Sequence, residues 1–92
     1  MKPYKERQLS DNQILREFNH DINVEELEWH MDRSDRRVKV IEGCGWKLQL
    51  ESGLPKEMII GETYFIPRES WHRVIKGQDS LMILISELFS AY

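Results

Sequence analysis

The chain has 92 residues, 32% of them charged, and a formal net charge of −3, which describes one globular domain with a limited core. The acidic balance excludes a nucleic-acid binder, because Arg33, Arg36 and Arg37 alternate with Asp32 and Asp35 and build no basic stripe. One cysteine, Cys44, excludes an intrachain disulfide and suits a reducing compartment; no stretch approaches the ~20 apolar residues of a membrane span, so a cytoplasmic protein is expected.

In chain order, residues 1–13 are polar and read as an N-terminal arm, with residues 14–92 as a single domain. Ser10-Asp11-Asn12 has the residues to start a short helical turn. Ile14 to Phe18 forms a first strand and Asn19-His20-Asp21 a turn, where His20 reads as a surface or capping histidine. Val24 to Glu28 has no clear period, but Leu27 to His30 looks extended. Arg37 to Ile41 is a second strand, and Gly43-Cys44-Gly45 after it reads as a hairpin turn with an inert thiol.

Trp46 to Glu51 alternates strictly, the signature of a half-buried strand. Ser52 to Pro55 is a turn, and Met58 to Ile60 a short apolar strand ended by Gly61. Thr63 to Ile66 is a strand ended by Pro67, which cannot donate to a ladder. Arg73 to Ile75 and Leu81 to Ile85 are the last strands. The latter is apolar on both faces, so something must cover it on both sides: the N-terminal arm, Phe89 and Tyr92, or a second copy in a homodimer. Short strands separated by frequent turns predict an all-β antiparallel sandwich or small barrel.

Chemistry concentrates in His30-Met31-Asp32 and His72. Alternation along a strand turns His30 and Asp32 to the same face. Two histidines and one carboxylate are the donor set of non-haem Fe(II) sites, which keep open positions for further ligands.

The spacing around these residues resembles the cupin family. Its first motif runs G-x5-H-x-H-x3-4-E-x6-G. His30 and Gly43 match it, Asp32 replaces the second histidine, Arg36 or Arg37 stands at the glutamate, and the opening glycine is absent. The second motif runs G-x5-P-x-G-x2-H-x3-N. Gly61, Pro67 and His72 match, Glu69 replaces the inner glycine and Lys76 the asparagine. The resemblance implies an antiparallel jelly-roll-like cupin β-barrel, often dimeric, with a metal inside.

On this basis His30, Asp32 and His72 are the expected metal ligands. The expected cofactor is a divalent metal, with Fe(II) favoured and Mn, Ni or Zn compatible. Arg36 either pairs with Asp32 or clamps an anionic substrate; Trp46 either fills the core or stacks on a ring substrate. Tyr64 either packs or reaches the site, and Glu69 is a candidate general base. The expected function is a metal-dependent, dioxygenase-like enzyme acting on a small organic acid. The alternatives are a non-catalytic sensing module that binds a small molecule and works as a dimer, and a bare scaffold.

Overall fold

The computed structural model describes residues 3–88. Eight strands follow one another: β1 (Lys5–Gln8), β2 (Gln13–Phe18), β3 (Asp35–Glu42), β4 (Lys47–Leu50), β5 (Lys56–Glu57), β6 (Thr63–Ile66), β7 (His72–Ile75) and β8 (Leu81–Leu88). A 3-10 turn, Val24–Glu26, lies between β2 and β3. The strands form a five-stranded sheet in the order β1-β2-β8-β3-β6 and a three-stranded sheet in the order β5-β4-β7. All pairs are antiparallel. Among the described residues, no helix is long and apolar enough to cross a membrane.

Alternation decides what each strand contributes. Val38 and Val40 of β3 lie opposite Ile85 and Ile83 of β8, so all four share the inward face of the larger sheet, and all are buried. Leu48 of β4 and Met58 just after β5 belong to the same core, and the two sheets close over it. The opposite face of β8 carries Met82 and Leu84. Leu84 meets Leu15 of β2 on one side and Lys39 of β3 on the other.

Several expectations change. The polar segment read as an arm supplies β1, whose four residues pair with β2, and Ser10-Asp11-Asn12 lies in the connection between those strands rather than in a helical turn. Met58 to Ile60 is not a strand: pairing stops at Glu57, Met58 is buried, and Ile59 and Ile60 are exposed.

The Gly43-Cys44-Gly45 segment is not a hairpin turn. It passes the chain from β3 in one sheet to β4 in the other. Gly43, at φ 140°, crosses so close to β8 that a Cβ there would lie 2.9 Å from Leu81 Cδ1. The crossing is pinned by Gln78 N–H donating to Cys44 O at 2.9 Å and Cys44 N–H donating to Asp79 Oδ1 at 2.7 Å.

Opposite this crossing, Gly77 leaves no room for a side chain. A Cβ there would come within 3.0 Å of Cys44 O, Trp46 N and Trp46 Cδ1. Backbone on two sides cannot yield as a flexible side chain can. Gly77→Ala is therefore expected to cost about 3 kcal/mol, the upper end for overpacking, and to lower the melting temperature by more than about 10 °C. A melt within two or three degrees of wild type would contradict this packing.

Candidate metal centre

Two segments bring the centre together. Pro67 ends β6, and Ser70 Oγ donates to Pro67 O at 2.6 Å, closing the loop that leads into β7. Trp71 N–H donates to Glu51 Oε2 at 3.0 Å, so His72 enters β7 opposite Leu50 and points inward, buried. The second segment leaves the Val24–Glu26 turn, whose first residues are capped by Asn23 Oδ1 accepting from Glu25 N–H at 3.1 Å.

His30 then pairs with His72 through both backbone hydrogen bonds, N to O at 2.9 and 2.8 Å. Residues directly opposite in an antiparallel pair turn to one face. The two imidazoles accordingly meet edge-on with ring centres 4.2 Å apart. Asp32, two residues on, reaches the same place, and one ligand atom from each of His30, Asp32 and His72 lies within 4.8 Å of the others.

The Asp32 segment is tied to the β6–β7 loop by Glu69 N–H, which donates to Asp32 O at 2.6 Å. Glu69 adopts φ 58°, the left-handed region, at the position where the cupin motif has glycine. Its role at the site is this backbone contact. Its side chain is exposed and does not line the cavity, so the structure does not bring a Glu69 general base to the centre.

The histidine rings are held alike. His30 Nδ1 lies 3.2 Å from Glu28 O and His72 Nδ1 lies 3.0 Å from Ser70 O. A carbonyl only accepts, so Nδ1 carries the proton in each neutral ring and Nε2 presents its lone pair. Asp32 Oδ2 stands 3.2 Å from His72 Nε2 and 3.3 Å from Arg36 NH1, yet is buried without a hydrogen-bond partner. Either a proton or a metal ion between His72 Nε2 and the carboxylate oxygen makes this contact attractive. Two ligands about 2.1 Å from one ion and at right angles stand about 3.0 Å apart, so the spacing fits a shared divalent ion.

Burial alone would raise the Asp32 pKa, but the His72 imidazole and the Arg36 guanidinium more than offset it and hold the carboxyl below its ordinary range. Partial burial, partly offset by the Glu28 carbonyl and reinforced by the neighbouring His72, holds the His30 imidazole below its ordinary value. Both shifts favour the ligating, unprotonated forms.

Arg36 lies between two carboxylates. NH1 is 3.3 Å from Asp32 Oδ2 and NH2 is 3.6 Å from Glu87 Oε2, while Ser34 Oγ donates to the same Glu87 oxygen at 2.8 Å. A lone guanidinium beside a divalent ion would repel it; flanked by two carboxylates, it does so far less. Of the two readings for Arg36, the ion pair with Asp32 is the one present. Glu87 was not expected from the sequence, although continuing the inward alternation of Ile83 and Ile85 in β8 would have found it.

A cavity of about 350 Å³ opens beside the two histidines. The larger sheet lines it with Arg16, Phe18, Val38, Ile83 and Ile85, the smaller with Leu48 and Val74, and Tyr4 and Trp29 border it. Trp46 does not line it. The ring is fully buried in the core, 5.7 Å from Phe18, with Nε1 donating to Asp79 O at 2.6 Å. Tyr64 is also elsewhere, its hydroxyl donating to Glu57 O at 2.8 Å and accepting from Ile59 N–H at 2.9 Å. Of the two readings for each, the packed one is present: Trp46 does not stack on a substrate and the Tyr64 hydroxyl does not reach the centre.

No protein-family model matches the chain, and no curated protein matches it by sequence. Solved structures do. A cupin domain from Bordetella pertussis Tohama I is 15% identical, with a TM-score of 0.64 over 95% of this chain and 92% of that one. An RmlC-like cupin with a double-stranded β-helix fold from Methanocaldococcus jannaschii is 15% identical, with a TM-score of 0.69 over 95% and 81%. HppE, solved with Co(II) and Tris buffer, is 17% identical with a TM-score of 0.73, but this chain spans only 55% of its length. The antiparallel sheets and these likenesses together give the chain the cupin fold, a double-stranded β-helix.

Proposed function

We propose that this chain is a metal-dependent cupin enzyme, with His30, Asp32 and His72 holding a divalent ion. The observation that carries the reading is the convergence of one ligand atom each from His30, Asp32 and His72 within 4.8 Å, with Asp32 Oδ2 buried without a hydrogen-bond partner 3.2 Å from His72 Nε2. HppE, similar in fold, has been solved with Co(II), and also with Fe(II) and substrate, which supports Fe(II) as the favoured ion. Mn, Ni and Zn suit the same donors. When bound, such an ion supplies a Lewis acid with open positions, and iron adds one-electron redox chemistry of the dioxygenase kind.

The protein's own groups do the rest. The Glu28 and Ser70 carbonyls fix the imidazole tautomers, as carbonyl partners of metal-binding histidines do. Arg36 restrains Asp32 while Glu87 restrains Arg36. The apolar walls hold the apolar part of a small organic acid beside the ion.

Mass spectrometry of protein purified without chelator or affinity nickel tests the centre. Near-stoichiometric metal is expected in wild type, with at least a tenfold loss in Asp32→Ala and His72→Ala. Absence of metal after anaerobic Fe(II) loading would sink the reading. Where metal binds, oxygen uptake with small acids is expected; ligand stabilisation without turnover would instead favour a sensing module.

The pKa directions set the acid limit. Both His30 and Asp32 lie below their ordinary 6.5 and 3.8 in the folded chain, so the unfolded chain takes up protons more readily. Their contributions to stability are complete above those values and lost as pH falls through the lower folded ones. Thermal melts of metal-free protein should thus fall in steps starting below pH 6.5 and 3.8, the first shrinking in His30→Gln. An unchanged profile in that variant would contradict the role of His30.

The same reading has the chain working as a homodimer through the outer face of the larger sheet. There Leu15, Met82 and Leu84 are half-buried and Phe65 is 51% exposed. Sedimentation is expected to give twice the 11.1 kDa chain mass, and Leu84→Lys to return it to one. A monomeric wild type at micromolar concentration would remove this part of the proposal.

A further inference from the structure

Strand β2 departs from the pattern of the sheet it belongs to. Its inward positions are Ile14, Arg16 and Phe18. The register sets Arg16 directly opposite Ile83 of β8, an apolar wall of the cavity, and opposite Glu6 of β1. Arg16 is only 8% exposed. A leucine or methionine would fill this place with no charge to desolvate, and replacing buried ion pairs by such residues is often neutral or stabilising. Local rules broken in this way are expected at functional positions.

The guanidinium is held from one side. Nε and NH2 both donate to Glu6 Oε2, at 3.1 and 2.7 Å, and the group lies 3.8 Å over the Tyr4 ring. NH1 has no partner among the described residues, and the side chain lines the cavity. Arg36 also lines the cavity and its Nε is buried without a hydrogen-bond partner, but both of its terminal nitrogens face carboxylates of the protein.

We infer that Arg16 is the anion receptor of the cavity and that the ligand is a small aliphatic monocarboxylate. This rests on reading the cavity as the substrate site beside the metal centre. Phe18, Val38, Leu48, Val74, Ile83 and Ile85 give the tail apolar walls. At about 30 Å³ per water-sized group, the 350 Å³ volume holds on the order of ten non-hydrogen atoms. Glu6 and Tyr4 keep the guanidinium preorganised, so little side-chain freedom is lost when the ligand binds. A carboxylate at Arg16 leaves the other end of the molecule for the histidine side of the cavity.

Hexanoate and hexan-1-ol, matched in shape and different in charge, separate this from general apolar binding. Calorimetric or NMR titration is made on the full chain, metal-free and Zn(II)-loaded. Arg16→Met is expected to weaken hexanoate about tenfold or more in both forms, with hexanol within about twofold of wild type and zinc uptake unchanged. Glu6→Gln, which keeps an acceptor oxygen and the Tyr4 ring to position the guanidinium but removes the negative charge beside it, is expected to strengthen hexanoate about threefold and leave hexanol alone. It carries the test should Arg16→Met not fold. Equal losses for both probes, no loss for hexanoate, no hexanoate binding by wild type at millimolar concentration, or a silent Glu6→Gln would each overturn the receptor. Hexanoate binding through Arg16 in a protein that takes up no zinc would overturn the metal reading alone; zinc uptake with indifference to Arg16→Met would overturn the receptor alone.

Discussion

Two hydrogen bonds between the backbones of His30 and His72 are what the rest of the centre depends on. They make one residue of an otherwise irregular segment a strand neighbour of β7. That single register is enough, because a one-residue slip would turn His30 to the outside and bring Trp29 or Met31 in its place. The neighbouring pairs bear this out. Trp29, at the rim of the cavity, turns away from the histidines with its ring 4.8 Å from the Arg73 guanidinium, and Trp71 stays exposed beside the buried His72. The centre is thus positioned by main-chain geometry first, and side-chain chemistry then acts within it.

The constraint propagates through the loops on either side. Glu69 takes a left-handed conformation to bring its N–H onto Asp32 O, a strain of about 1–2 kcal/mol for a residue with a Cβ. Arg68 N–H donates to Asp35 Oδ1 at 2.8 Å a few atoms away. These two bonds fasten the segment after His30 to the segment before His72. A small domain with no lid-like insertion gains rigidity at the centre from this cross-tie rather than from size.

The strands were legible where alternation is clean. Thr63–Ile66, bounded by Gly61 and Pro67, and the start of β8 follow directly from local pattern. The convergence of His30, Asp32 and His72 was legible because the three positions keep the cupin spacing. What failed shares one cause: a local signal cannot say which sheet a strand joins. Gly43-Cys44-Gly45 has the composition of a hairpin turn, but the packing of Gly77 and Trp46 against it makes it a crossing between sheets. The same ignorance sent Trp46 and Tyr64 toward the cavity. Both do face inward, but at the Asp79 and Glu57 carbonyls, away from the histidines.

Arg16 and Glu87 were overlooked, and the Arg36 reading left open between two roles, for a further reason. Each is a charged residue at an inward strand position, where expectation puts aliphatic ones; alternation from Ile83 and Ile85 points to Glu87, but the partners of all three follow only from the register. A ninety-residue domain has little core to spare, and every charge buried in it forgoes the stabilisation a leucine there would add. Placing two arginines on the inner face of one sheet, each with its own carboxylate, lowers the desolvation penalty without removing it. Structure alone does not call for that arrangement, since an apolar pair in either place would close the barrel more tightly. On the proposal that Arg16 receives an anion, the stability forgone at that position is exchanged for recognition, whereas Arg36 uses its charge to hold Asp32 and Glu87.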